Sequence, residues 1–126
     1  MTHIIIVEDD PMVAALDKQY IEKTSKNLHI SGVFGDGQAA LEFLKNNRVD
    51  LVILDVYMPL ISGLELLKTI RTEGIPADVI MVTAADSGEE INTALRLGVV
   101  DYLVKPFDFT RFNQAINKYL HKQILL

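Results

Sequence analysis

Four groups able to do chemistry stand at the carboxyl ends of apolar runs in this sequence. Glu8-Asp9-Asp10 follows Ile4-Ile-Ile-Val7, Asp55 closes Leu51-Val-Ile-Leu54, Thr83 closes Val79-Ile-Met-Val82, and Lys105 follows Tyr102-Leu-Val104. Three or four carboxylates in one pocket repel, since two unit charges about 4 Å apart cost on the order of 4 kcal/mol at a surface-like dielectric. A hard divalent cation relieves that repulsion, and all-oxygen ligands with several retained waters suit Mg²⁺. An ammonium and a hydroxyl beside a metal-bound carboxylate make a site for a tetrahedral anion. An aspartate placed there can act as a nucleophile that accepts a phosphoryl group. The metal and Lys105 would then neutralise charge on the transferring oxygens.

Taken singly, each residue has a plainer role. Asp10 precedes Pro11 and suits a helix N-cap better than a ligand position. Glu8 and Asp9 could simply favour a helix N-terminus. Thr83 could bond its own loop, an isolated lysine is ordinarily a surface residue, and Tyr102 alone would be core packing. The conjunction matters, because all four groups fall on one edge if the runs are neighbouring parallel strands.

The elements needed for that alignment can be read along the chain. Leu51 to Leu54 are apolar without alternation, which predicts a strand buried on both faces. A carboxylate is costly to bury unpaired, so Asp55 is expected where that strand emerges. Pro59 cannot continue a ladder, and Ser62-Gly63 turns the chain. Val13, Leu16 and Tyr20 predict the stripe of a first helix after Asp10. His29–Phe34 reads as a second strand, and Asp36 caps a helix with Ala40, Leu41 and Leu44 inside. Ser62 and Glu65 form a capping box before a helix carrying Leu64, Leu67, Ile70 and Arg71, which Gly74-Ile-Pro76 breaks. Ser87 and Glu90 form a second capping box, with Ile91, Ala94 and Leu95 facing inward and Gly98 as the C′ signal. Asp108 or Thr110 caps a last helix whose stripe is Phe109, Phe112, Ile116 and Leu120.

Strands alternating with helices imply right-handed βαβ units and a parallel sheet. Five such units predict an α/β, three-layer (βα)5 doubly wound, flavodoxin-like fold. In such sheets ligands bind beyond the carboxyl ends of the strands, where strand order reverses. With strand order 2-1-3-4-5, Glu8-Asp9-Asp10 and Asp55 face each other across that point, and Thr83 and Lys105 line the other side.

Composition narrows the function classes. At 126 residues the chain has the length of one domain. Its net charge of −5 argues against a nucleic-acid surface on this segment. With no cysteine, neither disulfides nor thiolate metal sites can form. The start lacks the basic and long apolar regions of a signal peptide, and no apolar run is long enough to span a membrane. The expectation is a cytoplasmic protein.

These segments together resemble the response-regulator receiver domains of two-component signalling, over essentially the whole chain. The matching pieces are Ile5-Ile-Val-Glu-Asp-Asp-Pro11, Leu54-Asp-Val-Tyr-Met-Pro59 with Gly63, Val82-Thr-Ala84 and Tyr102-Leu-Val-Lys-Pro106. The resemblance implies that Asp55 is the phosphoacceptor. It further implies that Mg²⁺ is held by Asp9, Asp55 and the backbone carbonyl of Tyr57, with Glu8 helping through water. Thr83 and Lys105 would bind phosphoryl oxygens, and Thr83 and Tyr102 would be the switch pair. The first acid is Glu where the family commonly has Asp, which lengthens the reach to the metal.

Tyr57-Met58 with Gly63-Leu-Glu-Leu-Leu67 looks most like regulators of citrate and C4-dicarboxylate metabolism, which carry a C-terminal helix-turn-helix domain. Residues 1–126 would then be one receiver domain, the N-terminal part of a longer regulator. Leu120, Ile124, Leu125 and Leu126 keep the last helix apolar to the end, as expected of a helix continuing into a linker. The implied partners are a sensor histidine kinase and a second copy, through the face made by the fourth helix, fifth strand and fifth helix (about Glu89 to Tyr119). DNA would be met only through the missing output domain.

Other classes fit less well. A flavodoxin needs a hydroxyl- and glycine-rich loop after the first strand, where this chain is acidic. A haloacid-dehalogenase-type phosphatase has a second Asp two residues after the nucleophile, where this chain has Tyr57. No dinucleotide fingerprint or P-loop occurs. A stand-alone receiver acting through protein contacts remains the alternative within the family. The expected activity is self-phosphorylation and autodephosphorylation, without turnover of a metabolite.

Overall fold

Five parallel strands in the order β2-β1-β3-β4-β5 form one sheet, with five alternating helices on its two faces. The computed structural model describes residues 1–24, 27–84 and 87–125. The elements are β1 (Thr2–Val7), α1 (Pro11–Thr24), β2 (Leu28–Phe34), α2 (Gly37–Asn46), β3 (Leu51–Asp55), α3 (Gly63–Thr72), β4 (Asp78–Thr83), α4 (Gly88–Arg96), β5 (Asp101–Val104) and α5 (Phe109–Leu125). This is the doubly wound, flavodoxin-like order expected from the alternation of strands and helices. No helix among the described residues is long and apolar enough to cross a membrane.

The pleat divides each apolar run between two cores. Ile5, Val7, Val52, Leu54, Val79 and Met81 pack beneath α2, α3 and α4, whereas Ile4, Ile6, Leu51, Ile53, Ile80 and Val82 pack beneath α1 and α5. Successive side chains on a strand point to opposite faces, so a run without alternation is what burial on both sides requires. Removing such a side chain from water is worth about 1.5–3 kcal/mol each.

Two predicted helix faces were displaced. On α1 the buried line is Ala14, Asp17 and Ile21, while Val13, Leu16 and Tyr20 are only half-buried. The true stripe runs one residue further round the helix and contains a carboxylate, which is why apolar periodicity missed it. On α3, Leu66 is buried beside Leu67 and Ile70, while Leu64 is half-buried. Arg71 lies along that helix and donates to the carbonyls of Leu97 and Ala77 at 2.8 and 2.9 Å.

On α4 only Ala94 is fully buried, and Leu95 is 49% exposed rather than inward-facing. On α5, among the described side chains, the buried residues are Phe112, Ala115, Ile116 and Tyr119, flanked by half-buried Phe109 and Leu120. Leu126 and the side chains of Ile124 and Leu125, on which the apolar-terminus expectation rests, lie outside the described residues.

Asp36 caps α2 by accepting from Ala39 N–H at 2.8 Å, and Ser62 caps α3 by accepting from Glu65 N–H at 3.2 Å. Asp108, not Thr110, caps α5, accepting from Arg111 N–H at 2.9 Å. The Ser87–Glu90 capping box does not form. Ser87 precedes α4 but makes no side-chain cap bond, and its backbone at φ −102°, ψ 40° is outside the extended region that caps use.

Candidate functional site

Register brings the reactive strand ends together. Val7 pairs with Leu54, Asp55 with Val82, and Thr83 with Val104, so the chain leaves β1, β3, β4 and β5 at one level. Backbone bonds extend the alignment past the strands: Glu8 N–H donates to Phe34 O, Val56 N–H to Val82 O, and Lys105 N–H to Thr83 O, at 2.8–2.9 Å. By pleat parity, Glu8, Asp55 and Lys105 continue the α1/α5 side of the sheet. Thr83 and Tyr102 continue the opposite side, that of Met81.

Carboxylate oxygens of Glu8, Asp9 and Asp55 lie within 4.8 Å of one another. Glu8 and Asp55 are each only 3% exposed, while Asp9 is at the surface. Lys105 Nζ stands 3.1 Å from Glu8 Oε1 and 3.5 Å from Asp55 Oδ2. The first contact is an ion pair without hydrogen-bond alignment, which leaves Glu8 Oε1 otherwise unpartnered. Asp55 Oδ1 accepts from Tyr57 N–H at 3.2 Å, and Glu8 Oε2 from Asp10 N–H at 3.2 Å. Asp10 itself turns away and accepts from Met12 N–H at 2.9 Å, acting as the cap of α1.

One lysine does not balance three acids. Burial first, and then Asp55, push the Glu8 carboxyl up to about 8, against the opposing pull of Lys105. The Lys105 ammonium is also raised: burial opposes its charge, but its ion pair with Glu8 and the field of Asp55 outweigh burial. A hard divalent cation is a species this all-oxygen donor set fits, because its charge would offset both the burial and the neighbouring carboxylate that raise Glu8. The Thr83 hydroxyl is buried and has no hydrogen-bond partner among the described residues. An unpaired buried hydroxyl is costly, and here it stands at the strand end next to Asp55, free to donate to an anion.

Gly63 makes the turn after Asp55 possible. A Cβ at Gly63 would fall 2.0 Å from the Asp55 carbonyl oxygen, and Gly63 N–H donates to Val56 O at 2.9 Å. Between them Leu60 holds a left-handed φ of 70°, a region that non-glycine residues seldom occupy.

The remaining residues of interest sit apart. Tyr102 is half-buried on β5 and packs against the α2–α4 core. With Val104, Pro106, Phe107, Asp108 and Arg111 it lines a surface cavity of about 390 Å³. Arg111 fastens that corner, donating to both oxygens of buried Asp101 at 2.9 and 3.0 Å and to Tyr102 O at 2.6 Å. Near the site, one group went unnoticed in the sequence and another was read in a different role. Asp17 is 1% exposed, and neither of its oxygens has a hydrogen-bond partner among the described residues. Burial raises it to about 7, Lys105 partly offsets the rise, and Asp55 adds to it. Its place three residues after Ala14 and four before Ile21 was the available signal. Ser87, expected as a helix cap, instead brings its hydroxyl to the phenol of Tyr57.

Comparison with known proteins agrees with this arrangement. Residues 4–117 match the family model described as the response regulator receiver domain. The transcriptional regulatory protein MalR of Bacillus subtilis is 43% identical over 98% of this chain, covering 52% of MalR. The transcriptional regulatory protein DcuR of Escherichia coli is 34% identical over 100% of this chain, covering 53% of DcuR. This chain thus spans about half the length of these curated relatives. The crystal structure of the response regulatory domain of mrkE from Klebsiella pneumoniae superposes with a TM-score of 0.89 at 27% identity, covering 99% of this chain and 100% of that one.

Proposed function

Since the chain belongs to the response regulator receiver domains, we propose that it accepts a phosphoryl group on Asp55 from the phosphohistidine of a sensor kinase. A carboxylate oxygen of Asp55 attacks phosphorus, the bond to the donor nitrogen breaks, and the imidazole leaves with the electron pair. The product is an acyl phosphate. The single observation that carries this reading is a buried carboxylate oriented by the Tyr57 N–H, with Lys105 Nζ 3.5 Å away and an unpartnered Thr83 hydroxyl on the adjoining strand end.

Each group has a distinct task. Tyr57 N–H fixes one oxygen of Asp55. Lys105 balances charge on the phosphoryl oxygens, and the Thr83 hydroxyl donates to one of them. Asp9, Asp55 and the Tyr57 carbonyl would hold Mg²⁺, with Glu8 reached through water. When bound, the ion supplies neutralisation of the clustered charge.

The consequence is a switch. A phosphoryl group brings about −1.5 to −2 charges and three strong acceptors. Drawing Thr83 toward it vacates space on the face that Thr83 shares with Tyr102, and Tyr102 turns into that space. This reshapes the face of α4, β5 and α5, through which two copies pair. The relatives' names, transcriptional regulatory proteins, support an output in transcription through a DNA-binding domain beyond this segment. The name of a further relative, the probable C4-dicarboxylate response regulator DctR of Bacillus subtilis, 41% identical over 92% of this chain, favours a C4-dicarboxylate signal. The same chemistry would serve a receiver that works alone through protein contacts.

The test is intact-mass measurement after incubation with a small phosphodonor and Mg²⁺. The native chain is expected to gain the mass of one phosphoryl group, and Asp55→Asn none. Equal labelling of both would overturn the assignment.

A further inference from the structure

Two serines in this chain precede helices with a glutamate three residues on, and they behave differently. Ser62 turns its hydroxyl to Glu65 N–H and caps α3. Ser87 leaves the first turn of α4 without a side-chain cap and gives its hydroxyl to Tyr57. The backbone bond from Ile91 N–H to Ser87 O, at 2.9 Å, still starts the helix.

The cost of that exchange points to a use for the bond. Ser87 is buried, whereas Tyr57 is 51% exposed. An exposed aromatic ring ordinarily changes rotamer freely, but a bond to a fixed, buried hydroxyl holds this one in place. The main chain of Tyr57 is anchored as well, since its N–H donates to Asp55 Oδ1. The ring therefore spans from the loop after β3 to the N-terminus of α4. Those two segments leave the adjacent strand ends that carry Asp55 and Thr83.

We propose that Ser87 is a positioning residue for the phosphoryl lifetime: its hydroxyl holds the Tyr57 ring across the gap between these segments, where the ring keeps water from the acyl phosphate. This rests on the reading of Asp55 as phosphoacceptor. In the step being slowed, a water oxygen attacks phosphorus and the bond to the Asp55 oxygen breaks. The carboxylate is restored, and inorganic phosphate leaves with the water's protons shared between it and solvent.

The experiment tracks loss of the phosphoryl group by intact mass, after labelling the chain with a small phosphodonor and Mg²⁺. Ser87→Ala and Tyr57→Phe should each lose it about 2- to 10-fold faster, the range expected for losing one hydrogen bond. The double variant should be no faster than either single one, because both remove the same bond. Ser87→Thr, which keeps the hydroxyl, should retain the native lifetime, and Ser87→Ala should take up the group at the native initial rate. Native lifetimes in Ser87→Ala, or independent multiplying effects of the two substitutions, would overturn the clamp while leaving the Asp55 reading intact. A native chain that gains no phosphoryl group would overturn that reading and the clamp with it.

Discussion

The Cβ that Gly63 lacks would stand 2.0 Å from the carbonyl oxygen of Asp55. The first turn of α3 thus rests directly on the backbone of the acceptor residue. Any side chain there must push the loop after β3 away from the site. Gly63→Ala is expected to cost about 1–3 kcal/mol, the usual range for overpacking, and to reduce labelling by a phosphodonor. Urea denaturation and intact mass check the two effects. Full labelling with native stability would mean that the loop yields without consequence.

Mg²⁺ held in the proposed pocket would favour the folded chain, which alone presents that pocket, so the ion should raise the melting temperature. At tenfold excess over its dissociation constant the gain is about 1.4 kcal/mol, a shift of roughly 3–6 °C for a domain of this size. Asp9→Ala should abolish it. A melt indifferent to millimolar Mg²⁺ would count against the cation site.

Thr83→Ala should still take up the phosphoryl group but lose the conformational response to it. The expected outcome is labelling at Asp55 without the shift of Tyr102 resonances and without phosphorylation-dependent self-association. NMR and sedimentation check this, and a native response in both would mean that coupling bypasses the Thr83 hydroxyl.

Asp17 makes stability depend on pH in a direction set by its raised value. The ordinary carboxyl is 3.8 and the folded one about 7, so the folded state holds its proton more tightly. Below the ordinary value both states are protonated and the group is neutral to stability. As pH rises toward 7 the unfolded chain ionises first, and stability is lost. Asp17→Asn removes this term, so its advantage over the native chain should grow by about 2–3 kcal/mol between roughly pH 5 and pH 8. Urea titrations at the two pH values measure it. A constant difference would mean that Asp17 is paired in solution.

Arg111 should matter more than a surface arginine. Burial alone would raise the Asp101 carboxyl, but the bonds from Arg111 and from Tyr102 N–H hold it below its ordinary value. Removing one partner of a well-buried pair costs about 3–5 kcal/mol. Arg111 is about one-third exposed, so about 2–3 kcal/mol is expected for Arg111→Met after allowing for solvent screening. The loss should shrink in acid, where Asp101 becomes protonated. Denaturation at neutral and acid pH tests both statements.

The alternation of apolar runs with helical stripes determined a doubly wound parallel sheet, and the order 2-1-3-4-5 then brings Glu8, Asp55, Thr83 and Lys105 to one edge. A parallel sheet with right-handed crossovers leaves few other arrangements, and each group's place at a strand end is a matter of local sequence. Which serine caps its helix was a different kind of question. Ser62-x-x-Glu65 and Ser87-x-x-Glu90 are the same local signal, and only the approach of Tyr57 from another loop diverts the second. Likewise Leu95 is exposed and Asp17 buried because helix rotation is set by packing against the sheet and its neighbours. An apolar residue at the margin of a stripe, or an acid within one, carries no local mark of the side it will face. Periodicity locates a helix, but the close-packed interior decides which of its residues are shut away from water.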